Sequence, residues 1–149
     1  MIVTTGMPMP KDAPAQGTCV RRETPEPGLV LLRLDPPHRS LPVLDLPLLR
    51  DLELRLEEIE RDKSISGLVI TGRDTKSFAA GADLDALESI TDPVLVGRLV
   101  EIGQGIFERI ARLSKPVSRF DREWSRANRK SGRGCMRLET PPPIPCGRS

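Results

Sequence analysis

The sequence predicts one α/β domain with parallel strand pairing, confined to the middle of a 149-residue chain. Three observations carry that expectation. Gly67-Leu68-Val69-Ile70-Thr71-Gly72 is apolar on both faces and bounded by glycines, which suits a buried parallel strand better than an edge strand. Segments of helical periodicity flank it on both sides. The 15 prolines crowd toward the two ends, so periodic apolar sequence runs only from about Gly28 to Val117.

The elements follow in order. Residues 1–27 carry Pro8, Pro10, Pro14, Pro25 and Pro27 and are expected to be a disordered or poorly tied lead. Leu29-Val30-Leu31-Leu32-Arg33-Leu34 reads as a strand stopped at Asp35-Pro36-Pro37. Asp45 stands where a helix N-cap belongs, with Pro47 in the first turn. Leu49, Leu52, Leu56 and Ile59 follow at helical spacing, and Glu57 and Arg61 pair on the outer face. After the glycine-bounded strand comes a short helix near Asp83. Thr91-Asp92-Pro93 then starts a long helix with an apolar stripe through Leu95, Leu99, Ile102, Ile106, Ile110 and Leu113. Lys115-Pro116-Val117 points toward a further strand, but the periodicity collapses there. The expected organisation is a lead at 1–27, a domain at 28–117, and a basic, Pro- and Arg-rich, disordered tail at 118–149.

Charge supports the same division. From Ser118 onward eight basic residues face three acidic ones, a local balance of +5, which leaves −3 for the rest of a chain of net charge +2. Cys19, Cys135 and Cys146 have neither disulfide-framework nor zinc spacing, so no metal is expected and a reducing cytoplasm is the default compartment. No apolar run reaches the roughly 20 residues needed to span a bilayer, and the start lacks an export signal.

One stretch carries chemistry: Ser77-Phe78-Ala79-Ala80-Gly81-Ala82-Asp83-Leu84. Small residues around a glycine let a ligand approach the main chain. A helix start there aims unpaired N–H groups at that ligand, as a developing oxyanion requires. The plain alternative is a tight strand-to-helix turn capped by Asp83. His38, the single histidine, reads as a solvated loop residue. Arg73 and Lys76 are candidates for contact with phosphates.

Phe78-Ala79-Ala80-Gly81-Ala82-Asp83-Leu84, set behind Leu68-Val69-Ile70-Thr71-Gly72, closely resembles the first signature of the enoyl-CoA hydratase/isomerase (crotonase) superfamily. The resemblance covers about Gly28 to Val117. Ser40-Leu41-Pro42-Val43-Leu44-Asp45 and Gly103-Gln104-Gly105-Ile106-Phe107-Glu108-Arg109-Ile110 look similar to the hydratase part of bacterial bifunctional fatty-acid oxidation alpha subunits.

The resemblance implies the N-terminal half of a ββα spiral and a coenzyme A thioester as substrate, with no permanently bound cofactor. By motif position Ala82 would be one of two main-chain donors to the thioester oxygen. Ala80 would lie by the adenine of CoA, and Gly81, Asp83 and Leu84 would line the approach. The chemistry implied is addition of water across a 2,3-double bond in fatty-acid β-oxidation, with isomerisation as the related reaction, and relatives form trimers. The second donor, in a glycine run, and the catalytic glutamates would follow Lys-Pro-Val. Here Ser118-Arg119-Phe120-Asp121-Arg122 stands in their place, and neither Glu123 nor Glu139 lies in a matching context. A shift of reading frame near Val117 would produce such a switch. The expectation is therefore an acyl-CoA-binding half-domain without turnover of its own. The alternatives are a non-catalytic acyl-CoA- or partner-binding protein and, less favoured, an anionic-surface or nucleic-acid binder using the arginines beside Phe120 and Trp124.

Overall fold

A computed structural model describes residues 4, 6–74, 78–83, 87–88 and 90–120. Four strands form one sheet in the order β1-β2-β3-β4: β1 (Val20–Glu26), β2 (Leu29–Leu34), β3 (Gly67–Thr71) and β4 (Val117–Phe120). β1 runs antiparallel to β2, whereas β2, β3 and β4 are mutually parallel. Helix α1 (Leu46–Arg61) connects β2 to β3, and α2 (Pro93–Arg112) precedes β4.

The core forms where the periodicities place it. In β2, Val30, Leu32 and Leu34 are buried and alternate with half-buried residues. All five residues of β3 are buried, as expected for a strand with parallel neighbours on both sides. Leu48, Leu49, Leu52, Leu56 and Ile59 give α1 its buried stripe, and Ile102 and Ile106 bring α2 onto the same core. Both helices start as their sequences dictate. Asp45 accepts from Leu48 N–H at 3.1 Å, and Asp92 accepts from Val94 N–H at 2.9 Å. Lys115 covers carbonyls at the end of α1, donating to Ile59 O and, at 2.6 Å, to Asp62 O.

Part of the lead departs from the sequence expectation. Residues 20–26 form β1, and Cys19 and Val20 are fully buried. The reason lies in polar groups on α1, which hydrophobic patterning does not weigh. The buried Asp51 carboxylate accepts from Cys19 N–H at 2.8 Å. Arg50 donates to Pro14 O at 3.1 Å, and Arg55 donates to Val20 O at 3.2 Å. The buried Glu53 carboxylate accepts from both Thr4 N–H and Thr4 Oγ1, at 3.0 and 2.9 Å. β1 is otherwise exposed and charged, and Pro25 falls in the register irregularity between Glu23 and Glu26. Charge and proline at an irregularity are the marks of a protected edge strand.

The turn from β1 to β2 requires Gly28. Its φ is +79°, and a Cβ there would sit 2.7 Å from Ser66 Oγ. Cys19 is no reactive thiol: burial, followed by the nearby Asp51 carboxylate, pushes its pKa up to about 12.

At the other end, four residues from Val117 do pair with β3, so the sheet continues to Phe120 rather than stopping at Val117. The expected tail from Asp121 onward lies outside the described residues. The stripe on α2 is only partly covered. Ile110 and Leu113 pack against the core's rim and Leu95 and Leu99 are only half-buried, while beside the stripe Val94, Val100 and Phe107 are exposed. Among the described residues, no helix is long and apolar enough to cross a membrane.

Two outcomes follow. Asp51→Ala leaves the buried Cys19 N–H without its acceptor and is expected to cost about 1–3 kcal/mol in denaturant unfolding. Across the two helices, a hydrogen bond from Arg109 holds the Glu60 carboxyl below its ordinary value of 4.5. That stabilisation is complete above the ordinary value and is lost as pH falls through the depressed one. Thermal unfolding followed against pH should therefore show an acid-side loss that is reduced in Glu60→Gln.

Candidate active site

The chain leaves β3 at Thr71 and comes back against the segment that precedes α1. Two backbone hydrogen bonds join these loops. Ala80 N–H donates to Pro42 O at 2.8 Å, and Leu44 N–H donates to Gly81 O at 2.8 Å. Leu44 and Ala82 thereby form an isolated parallel bridge. Gly81, whose carbonyl accepts from Leu44, has φ +102°, a backbone conformation that side chains resist, and turns the chain there.

These contacts sort the predicted site residues. The Ala80 amide is consumed inside the protein. Ala82 is exposed, and among the described residues no acceptor meets its N–H. Ala82 lines a cavity of about 690 Å³ together with Asp83, Leu44, Leu49, Leu95, Leu99 and Phe107. Gly81 is exposed beside it, and Leu84 lies outside the described residues. The loop thus places Ala82, whose N–H meets no acceptor among the described residues, at the wall of a largely apolar hollow.

A charged cluster fixes the loop's far side. Arg39 donates to the buried Asp83 and, at 3.3 Å, to Asp45, the residue that caps α1. His38 Nε2 lies 2.7 Å from the same Asp45 oxygen and borders the cavity. His38 lies in an exposed turn, as a solvated loop residue should, but its ring is paired with Asp45 and borders the cavity. Asp83 serves the Arg39 pair, and its carbonyl accepts from Leu87 N–H at 3.1 Å. Arg73 is a brace: it pairs with Asp35 and donates to Ser40 O at 2.9 Å and Pro36 O at 2.5 Å. Lys76 lies outside the described residues. Arg39 is the residue that sequence reasoning missed, because nothing in the spacing of Arg39 and Asp83 signals that 44 positions apart they meet. Among the described residues, no group of three or more His, Cys, Asp or Glu side chains forms a metal-binding cluster.

No family model matches the chain. Individual proteins do. The fatty acid oxidation complex subunit alpha of Shewanella amazonensis is 36% identical over 93 residues, which span 60% of this chain and 13% of that protein. The short-chain-enoyl-CoA hydratase of Clostridium acetobutylicum is 32% identical over 80 residues, spanning 53% of this chain and 30% of the relative. The crystal structure of an enoyl-CoA hydratase from Bacillus anthracis superposes with a TM-score of 0.62 at 25% identity, over 68% of this chain and 39% of the other.

A parallel sheet followed by a glycine-turned loop, in a chain matched to these proteins in sequence and shape, makes it similar to the enoyl-CoA hydratase/isomerase (crotonase) superfamily. The proteins it resembles include fatty acid oxidation complex alpha subunits and enoyl-CoA hydratases, and the chain spans less than half the length of each one compared.

Gly81→Ala tests the loop. A Cβ at position 81 would meet nothing within 4 Å, so its cost is backbone strain alone. The expected loss is roughly 1–2 kcal/mol, read by thermal or denaturant unfolding. A change near zero would mean that the left-handed turn is not required.

Proposed function

We propose that this chain is the acyl-CoA-binding half of an enoyl-CoA hydratase domain, and that Ala82 N–H holds the thioester carbonyl oxygen. The observation that carries this reading is the contrast between neighbouring amides. Ala80 N–H is bonded to Pro42 O, while Ala82 N–H has no acceptor among the described residues and Ala82 lines the cavity. A donor fixed in place by its neighbours stabilises charge developing on an oxygen without reorganising when that charge appears. The apolar lining suits an acyl chain, and the main chain around Ala80 and Gly81 is exposed enough to lie along the nucleotide end of CoA.

Such a site binds better than it reacts. Hydration of a 2-enoyl thioester needs a second oxyanion donor and a group that handles the proton of water. The sequence after Val117 matches neither of the superfamily elements that supply them. One missing donor lowers the rate by roughly 10²–10³, and a missing general acid/base by roughly another 10²–10⁴. The reading is therefore a half-site that takes an acyl-CoA and leaves it unchanged.

Two measurements test this. Calorimetric titration with butyryl-CoA should give saturable binding, and Ala82→Pro, which removes the N–H, should weaken it at least ten-fold, while Ala82→Gly retains it. Crotonyl-CoA offered to the purified 149-residue chain should show no enzyme-level loss of its enoyl absorbance. Turnover at an ordinary enzymatic rate would overturn the view that the half-site is inactive alone.

A further inference from the structure

The proposed site explains one side of the cavity and leaves the other unaccounted for. Its wall includes Met7, Pro8, Met9 and Pro10, from the stretch that precedes the sheet. That stretch is fastened at both ends to the same helix. Thr4 is buried on the Glu53 carboxylate of α1. Beyond the arch, Pro14 O accepts from Arg50 and Cys19 N–H donates to Asp51. Between these anchors Met7 packs against the hydrophobic core and Met9 is half-buried. Two internal turns stiffen the arch: Met7 N–H donates to Thr4 O at 3.3 Å, and Ala13 N–H donates to Pro10 O at 3.0 Å.

We infer that residues 7–10 form a strap that sets how long an acyl chain the cavity accepts, with the side chains of Met7 and Met9 as its adjustable wall. This inference rests on the assignment of the cavity to acyl-CoA. α1 and α2 contribute Leu46, Leu49, Leu95 and Leu99 to the same hollow, so an acyl tail lying along them has apolar surface on every side where the methionines stand. Methionine is unbranched and polarisable, and it adapts to an irregular apolar guest. A strap held at both ends by buried carboxylates and an arginine cannot swing away freely, so its side chains limit the space behind them.

The test measures relative affinity for butyryl-CoA and decanoyl-CoA, both saturated and therefore inert to hydration. It uses the full chain and three variants: Met9→Ala, Met7→Ala with Met9→Ala, and Met9→Trp. Truncating the methionines should raise the decanoyl-to-butyryl affinity ratio, by about ten-fold in the double variant if two further methylenes become buried. Met9→Trp should lower the ratio. Met9→Ala serves as the check that folding is intact, because Met9 lies outside the core cluster. If both ligands bind and the ratio stays constant in all three variants, the strap does not limit chain length, and the assignment of the site survives. If neither ligand binds the unaltered chain, the acyl-CoA reading and the strap inference fall together.

Discussion

Two backbone hydrogen bonds, Ala80 N–H to Pro42 O and Leu44 N–H to Gly81 O, decide what the site can be. They lash the loop after β3 to the segment that begins α1. They consume the amide of residue 80, whereas the amide of residue 82, just past the turn at Gly81, meets no acceptor among the described residues. A donor left over beside an apolar hollow is worth more than the same donor in water, because little competes for it and the surrounding dielectric is low. Asp45 joins this arrangement to the helix. It caps α1, receives Arg39 and lies beside His38, while Arg39 reaches across to Asp83. Loop, cap and cavity are therefore one mechanical unit.

α1 holds the rest together in two ways. Its leucine stripe packs on β2 and β3, which is ordinary amphipathic behaviour. Its other flank carries Arg50, Asp51, Glu53 and Arg55, which receive the chain's opening stretch through hydrogen bonds to backbone groups and to Thr4. Buried carboxylates are expensive unless satisfied, so these contacts fix where the opening stretch lies as well as adding stability. The edge strand that results is short and charged, and it shields β2 from a foreign strand.

Much of this was legible in the residues. The glycine-bounded run became the central strand, Asp45 and Asp92 became caps, and Glu57 paired with Arg61, because each follows from local spacing or local chemistry. The loop around Ala82 stood out as small residues around a glycine, and the chain does turn there at Gly81. β1 was not legible: Arg21, Arg22 and Glu23 give no apolar alternation, and the strand is held by groups on α1 that lie tens of residues away in sequence. The same holds for Arg39 with Asp83 and for the paired state of His38. Interactions between charged groups distant in sequence leave no period to detect. The strand at Val117–Phe120 was not expected to form because apolar periodicity collapses after Val117, yet its backbone pairs with β3 from Leu68 to Thr71.

The account stands or falls on which amide meets the ligand. Backbone amide resonances followed by heteronuclear NMR while butyryl-CoA is titrated into the isotope-labelled chain resolve Ala80 and Ala82 separately. The account predicts a large downfield proton shift at Ala82 that saturates with binding, and a small change at Ala80, whose N–H already has a partner. Saturable binding that leaves Ala82 unmoved, or that shifts Ala80 instead, would contradict it.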